Sequence, residues 1–295
     1  GSDEYARASL PLLHDAGLPA AELDLAEAAR RFPQVRFDGI RSVFVEKEAG
    51  FLAARRGCRV VAEALAAEGG EYRQLAVRPG ALEGGRMGRL ELSDGSHLEA
   101  DAYVFACGPW LGRVFPDAVG GKIRPTRQEV FYFGTPAGDP SYSEGRFPVW
   151  FEFGELVHYG IPGNDHRGFK WADDTRREET DPTSMDRTPT PERLEAARRH
   201  LSHRFPGLAG APVVESRVCQ YENSPDGHLF IDRHPEARNA WIVGGGSGHG
   251  YKFGPALGEH VAGVVLGETE PLARFALGRE AMPPPVTLPA GVTAL

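Results

Sequence analysis

The chain has 295 residues, with 33 Lys and Arg against 41 Asp and Glu, a formal net charge of −8, and 41% hydrophobic and 25% charged residues. That length and composition are those of an ordinary globular protein with room for two domains, or for one large domain with an insertion. The acidic balance excludes the basic face that nucleic acid requires, and no run of about 18 apolar residues is present to span a membrane.

The opening GSDEYARASL carries no charged-then-apolar leader pattern, so no signal peptide is expected. Cys58, Cys107 and Cys219 are too few and too scattered for a disulfide framework or a zinc site. The 10 histidines show no HxxxH or HExxH spacing. A reducing, cytoplasmic setting without a metal is the expectation.

Residues 3–31 read as two helices broken near Gly17 and Pro19. Leu10, Leu12 and Leu13 mark the apolar face of the first, with Asp3 as N-cap, and the Ala-, Leu- and Glu-rich residues 20–31 form the second. Residues 41–51 read as a short strand and turn, and residues 55–68 as a helix closed by Gly69 and Gly70. From 72 to 106 short strands alternate with turns at Pro79-Gly80, Gly84-Gly85 and Asp94-Gly95, residues 88–100 forming a hairpin. The apolar strand from Ala102 ends in a glycine turn at Gly108, the position where a doubly wound sheet opens its ligand crevice.

Residues 123–161 return to β structure through the aromatic and β-branched runs RQEVFYF, FPVWFEF and LVHYGIP. Residues 173–193 are charged and proline-bearing, a solvated loop, and 191–204 form a helix whose Arg-rich face is a wet surface. Strands are expected at 213–221, 229–232 and 240–245, then a helix at 255–266 and a loose proline-rich tail over 280–295. No internal repeat is found.

The segment Trp241-Ile-Val-Gly-Gly-Gly-Ser-Gly-His-Gly-Tyr-Lys-Phe-Gly-Pro is an apolar strand entering a glycine-rich turn, with a helix leaving it. Gly244, Gly245, Gly246, Gly248 and Gly250 let the backbone approach a ligand and expose N–H donors, and the helix start favours negative charge. On physics alone any α/β protein can carry such a turn, and the spacing is G-x-G-x-G rather than the dinucleotide GxGxxG. Lys170 sits between Phe169 and Trp171, and Lys252 between Tyr251 and Phe253. Each reads either as a surface lysine or as a cation held over an aromatic ligand. Cys219 reads as a small buried hydrophobe or as a ligand-facing sulfur, and Tyr159 as a packed strand tyrosine or as a cavity wall. Cys58 and Cys107 read as structural.

The string GGSGHGYKFGPALGE resembles the C-terminal flavin-contacting motif of monomeric sarcosine oxidases, FAD-dependent members of the D-amino acid oxidase superfamily. Upstream, CQYENSPDGHLFIDRHPE resembles that family's segment in which a cysteine forms a thioether to the flavin. Cys219 and Lys252 lie 33 positions apart, as in the family. Tyr159-Gly-Ile-Pro and Gly168-Phe-Lys170 resemble the segment holding its active-site tyrosine and oxygen-activating lysine, 11 positions apart. Arg31-Arg-Phe-Pro, Glu48-Ala-Gly-Phe-Leu and Ala106-Cys-Gly-Pro-Trp-Leu are further matching blocks, so the resemblance covers nearly the whole chain in order.

The resemblance implies an α/β fold: a discontinuous FAD-binding domain with a mostly parallel sheet (1–38, 55–118, 226–279) and a substrate domain on an antiparallel sheet (39–54, 119–225). It implies catalytic roles for Lys170 at oxygen, Lys252 at the substrate carboxylate and Tyr159 at the cavity wall. Cofactor contacts are implied for Cys219, Gly108, Gly246, Ser247, Gly248, His249, Gly250 and Lys252, with FAD covalently held through Cys219. The activity implied is oxidation of a secondary or primary amine on a small amino acid, with O2 reduced to hydrogen peroxide. A fructosyl-amino-acid oxidase, a D-amino-acid dehydrogenase and a truncated fragment that no longer binds FAD are the alternatives.

Two departures stand out. Sarcosine oxidases place a histidine four residues after the oxygen-activating lysine, where this chain has Asp174; by that resemblance the charge near the substrate amine is altered, which leaves room for an amine bulkier or more cationic than sarcosine. The family's leading strand–GxGxxG–helix unit has no counterpart before Asp3, so a truncated chain is expected.

Overall fold

The computed structural model describes residues 3–175 and 179–281. It begins with α1 (Asp3–Asp15). The next element departs from the expected helix over 20–31: β1 (Ala20–Leu23) is a strand, and only α2 (Leu25–Arg31) is helical. β1 pairs antiparallel with β2 (Val43–Glu46), Ala20 opposite Glu46 and Leu23 opposite Val43. Helix propensity is worth only a few tenths of a kcal/mol per residue, and a ready strand partner overrides it. Asp24 then caps α2, its carboxylate accepting from the Glu27 amide at 2.8 Å.

α3 (Ala54–Ala67) follows the expected bounds closely but buries no residue; Val60 and Val61 on it are 53% and 69% exposed. Short strands β3 (Val77–Pro79), β4 (Leu82–Glu83), β5 (Arg86–Met87), β6 (Leu90–Leu92) and β7 (His97–Leu98) form two small antiparallel sheets. The β6–β7 hairpin closes where Asp94 accepts from the Ser96 amide at 2.9 Å. β8 (Tyr103–Phe105) then leads through Gly108 into α4 (Leu111–Val114) and α5 (Pro116–Val119).

The middle of the chain is a five-stranded antiparallel sheet. Its strands are β9 (Arg124–Phe133), β10 (Trp150–Phe153), β11 (Val157–Ile161), β12 (Phe169–Asp173) and, after α6 (Pro191–Arg204), β13 (Val213–Asn223). Their spatial order is β10-β11-β12-β9-β13. Of the loop expected over 173–193, residues 176–178 lie outside the described residues, as does 282–295 of the expected tail.

One face of this sheet is the protein's largest aromatic core. Phe131, Phe133, Phe169 and Trp171 meet Ala197, Leu201 and Phe205 of α6 and its end, all 1% exposed or less. Removing one such phenylalanine side chain costs about 3–5 kcal/mol. α6 starts cleanly: the Thr190 hydroxyl accepts from the Arg193 amide at 3.4 Å, and Pro191 occupies the first turn. Glu129, on the same face of β9, accepts from the Thr190 amide at 2.6 Å and so fixes the helix on the sheet.

β14 (Phe230–His234), β15 (Ala237–Gly244) and β8 form the second main sheet, in the order β14-β15-β8. β14 and β15 are antiparallel, whereas β15 and β8 run parallel, Ala240 opposite Tyr103 and Ile242 opposite Phe105. The parallel pair brings two glycine turns to one edge, Gly108 after β8 and Gly244 to Gly250 after β15. Phe105, Leu111, Phe115, Phe230 and Ile242 pack beneath them. α7 (Gly254–Leu266) leaves the second turn and ends on Gly267 at φ +76°.

Candidate active site

Strand alternation decides which side chains share the free face of the five-stranded sheet. Lys170 pairs with Tyr132 and Ala172 with Val130, Tyr159 pairs with Ala172, and Cys219 pairs with Gln128. Partners across an antiparallel ladder point to the same side, as do residues two apart on one strand. Tyr132, Tyr159, Lys170, Ala172 and Cys219 therefore stand together, opposite the face that packs α6, and Tyr221 joins them two residues after Cys219.

The contacts bear this out. The Lys170 ammonium donates to the Tyr159 hydroxyl at 3.3 Å and lies 4.6 Å from the centre of its ring. The Tyr221 hydroxyl crosses β9 to donate to Asp174 Oδ1 at 2.8 Å, and the Tyr159 and Tyr221 hydroxyls also interact. Burial, and then the Asp174 charge, push the Tyr159 phenol well above its ordinary value. Tyr221 is raised by burial first, then by Tyr159 and Asp174. Both are hydroxyl donors at neutral pH. Burial lowers Lys170 from the usual lysine range, and the nearby Cys219 and Asp174 partly restore it. Burial raises the Cys219 thiol while Lys170 pulls it down.

The glycine turn of the other sheet lies directly on this face. A Cβ at Gly248, where φ is +84°, would sit 2.4 Å from the Tyr221 ring, so only glycine allows the two to pack. Ser247 is fully buried at φ +47°; its hydroxyl donates to the Gly245 carbonyl at 3.1 Å and accepts from the Ser224 amide at 3.2 Å. It holds the turn's shape from inside. The Gly246 amide donates to Glu222 Oε1 at 3.2 Å and the Ser247 amide to the Glu222 carbonyl at 3.2 Å, so the end of β13 braces the turn. Burial raises the Glu222 carboxyl, and the Gly246 and Gly245 amides pull it down. His249 Nε2 meets the Gly227 carbonyl at 3.2 Å.

The residues named from the sequence thus fall into two groups. Tyr159, Lys170 and Cys219 share one sheet face, and Gly246, Ser247, Gly248 and His249 form the turn above Tyr221. Gly108, at φ +54°, and Gly250 lie beside that turn, and neither has any atom within 4 Å of where a Cβ would be. Lys252 stands apart: it is exposed in a single helical turn, its ammonium 5.3 Å from the Phe253 ring centre. Its neighbour Tyr251 ties that turn to α3 by donating to the Ala54 carbonyl at 2.9 Å.

Tyr221, Gln128 and Glu222 were not singled out from the sequence. A two-residue step from Cys219 would have found Tyr221. Gln128 and Glu222 carry no local signal, since only the strand register and the turn's fold bring them in. Among the described residues no group of three or more His, Cys, Asp or Glu could hold a metal, and no helix is long and apolar enough to cross a membrane.

A family model described as DAO, FAD dependent oxidoreductase, matches residues 2–264. The chain is 30% identical over 265 residues to a monomeric sarcosine oxidase of Streptomyces avermitilis, covering 84% of this chain and 65% of that protein. It is 30% identical over 200 residues to a monomeric sarcosine oxidase of a Bacillus strain, covering 65% of this chain and 51% of that protein. The chain thus spans less than two thirds of the length of either. An N-methyl-L-tryptophan oxidase of Salmonella enteritidis is 29% identical over 277 residues, with 89% of this chain and 70% of that protein covered. Among solved structures, an L-proline dehydrogenase of P. horikoshii superposes with a TM-score of 0.77 at 19% identity, over 92% of this chain and 71% of that one. A fructosamine oxidase of Aspergillus fumigatus gives 0.77 at 19%, over 94% and 68%.

Proposed function

The chain belongs to the DAO family of FAD dependent oxidoreductases, and on that premise we propose that it oxidises a secondary or primary amine of a small amino acid to the imine, with O2 reduced to hydrogen peroxide. One observation carries the reading: the glycine turn after β15 packs on Tyr221, whose hydroxyl joins Asp174 on the face that holds Tyr159, Lys170 and Cys219. A turn suited to a flavin and a polar face suited to an amino acid are thereby one site.

The residues fit FAD. The parallel strand ends are open at Gly108 and Gly250, and the buried Gln128 Nε2, paired across the ladder with Cys219 on the site face, has no hydrogen-bond partner among the described residues. A planar ring with acceptors along its edge would answer that donor. Gly108, Gly246, Ser247, Gly248, His249, Gly250 and Lys252 would hold it, with Cys219 as the residue for covalent attachment. The bound flavin supplies hydride acceptance and its return to oxygen.

This chain's own residues do the rest. Lys170 places a cation at the site face, where it favours negative charge developing on oxygen. Tyr159 accepts from Lys170 and walls the cavity. Lys252 is the candidate for the substrate carboxylate. The domain division that goes with this reading is 1–38, 55–118 and 226–279 for the cofactor and 39–54 and 119–225 for the substrate.

The test is direct. The purified chain incubated with FAD should show a stable visible flavin band and release peroxide across a panel of N-methyl and free amino acids. Colour that stays in an acid precipitate supports attachment through Cys219, and colour released to the supernatant removes it. Absence of any flavin band would overturn the reading.

A further inference from the structure

We propose that Arg279 is a positioning residue for the cofactor: its buried guanidinium sets the loop at 224–229, on which the glycine turn after β15 rests. This deepens the flavin-dependent reading and rests on it.

After α7 the chain returns to β14 through a short turn at Ala273–Phe275. Leu277 is 8% exposed in the core beneath the second main sheet; its amide donates to Asp232 Oδ2 at 2.8 Å and its carbonyl accepts from Lys122. The segment is therefore anchored independently of Arg279. Two residues on, Arg279 turns its guanidinium to the loop before β14. Nε and Nη2 donate to the two Asp226 carboxylate oxygens at 2.9 and 2.8 Å, Nη2 also to the His228 carbonyl at 3.0 Å, and Nη1 to the Leu229 carbonyl at 3.0 Å. The guanidinium lies 4.2 Å from the Phe230 ring centre, and the Arg279 and Asp226 side chains are 7% and 1% exposed. A bidentate pair this buried favours one geometry, and loss of either partner strands a charge.

The same loop is the floor of the turn. Asp226 Oδ1 accepts from the His228 amide at 3.1 Å, and the Ser224 hydroxyl donates to the His228 carbonyl at 2.7 Å. The loop then meets the turn through the Ser224 amide on the Ser247 hydroxyl and the Gly227 carbonyl on His249 Nε2. It also packs against Gly245, at φ +78°, where a Cβ would lie 3.1 Å from the His228 carbonyl oxygen and 3.3 Å from Ser224 Cβ. Each of these contacts depends on where residues 224–228 stand, and Arg279 holds Asp226 and His228 within that stretch. The guanidinium thus acts on the turn through the loop and touches no residue of the turn by a hydrogen bond of its own.

Two measurements separate this role from mere fastening of the C-terminal segment. One is FAD affinity by flavin fluorescence; the other is backbone hydrogen exchange of the 295-residue chain, read by mass spectrometry. Arg279→Met keeps much of the bulk and should weaken FAD binding, and speed exchange over 244–250, by ~10-fold or more, with β9 within ~2-fold of wild type. Arg279→Lys keeps the charge without the fork and should fall between. Unchanged FAD affinity and turn exchange in Arg279→Met, exchange that rises over 270–281 alone, or exchange that rises equally in β9, overturns the proposal. Should Arg279→Met not fold, Arg279→Lys is held to the same outcomes. If wild type forms no flavin band, the amine-oxidation reading fails on that result, and exchange over 244–250 in the variants still decides the role of Arg279.

Discussion

Glu152 offers a quantitative test of how the site's sheet is anchored. It lies on β10, and its carboxylate accepts from Arg204 Nη2 at 2.6 Å and Nε at 2.8 Å, while His200 Nε2 sits 3.0 Å away. Both partners belong to α6, so the trio joins sheet to helix behind Tyr159. Burial alone would raise the acid; the hydrogen bonds and charges of His200 and Arg204 overcome it and hold the carboxyl at about 2, against 4.5 unperturbed. That difference is worth ~3 kcal/mol by linkage. With 21% of the side chain still exposed, screening trims it to ~2–3 kcal/mol.

The folded carboxyl is depressed, so this stability is present above pH 4.5 and disappears as pH falls toward 2. Glu152→Gln removes the charge and should lower unfolding free energy by ~2–3 kcal/mol at neutral pH. By the same linkage about half of the gap should remain near pH 3 and almost none near pH 2. Urea unfolding of both proteins across pH 7 to 3, followed by tryptophan fluorescence, measures it. A gap that stays constant as the pH drops would refute the assignment of this stability to the Glu152 carboxylate.

Gly248→Ala forces a side chain at φ +84° into the Tyr221 ring and should cost at least ~2 kcal/mol in thermal unfolding. It should also weaken FAD binding in a fluorescence titration. Lys170→Met removes the cation at the site face and should slow reoxidation of the reduced protein by oxygen ~100-fold or more, with substrate reduction little changed in rapid mixing. Asp24→Ala deletes the α2 cap and should cost ~1 kcal/mol without changing ligand binding.

The legible part of this protein was whatever lay within one segment. The turn after β15 announced itself through its glycines, and the 11-residue spacing of Tyr159 and Lys170 brought both to one face because β11 and β12 are antiparallel neighbours. Residues 20–23 misled because Ala, Glu and Leu are good helix formers; the strand at 43–46 was expected, but nothing local pairs it with 20–23. Phe169–Asp173 was a short apolar run next to charged sequence, too brief to identify without its neighbours. Glu222 and Gln128 were invisible for another reason: they matter through register, a property of two strands. The Tyr251 bond to Ala54 likewise joins distant segments, and no local pattern encodes it.

The row of Lys170, Tyr159, Tyr221 and Asp174 has a direction: cation, two hydroxyls, anion, laid across a sheet that cannot reverse it. Its members come from β11, β12, β13 and the residue after β12, with the Gly248 turn packed on Tyr221. The chain of hydrogen bonds is therefore a property of register: a one-residue slip of any of these strands would turn its member to the α6 face and break the chain.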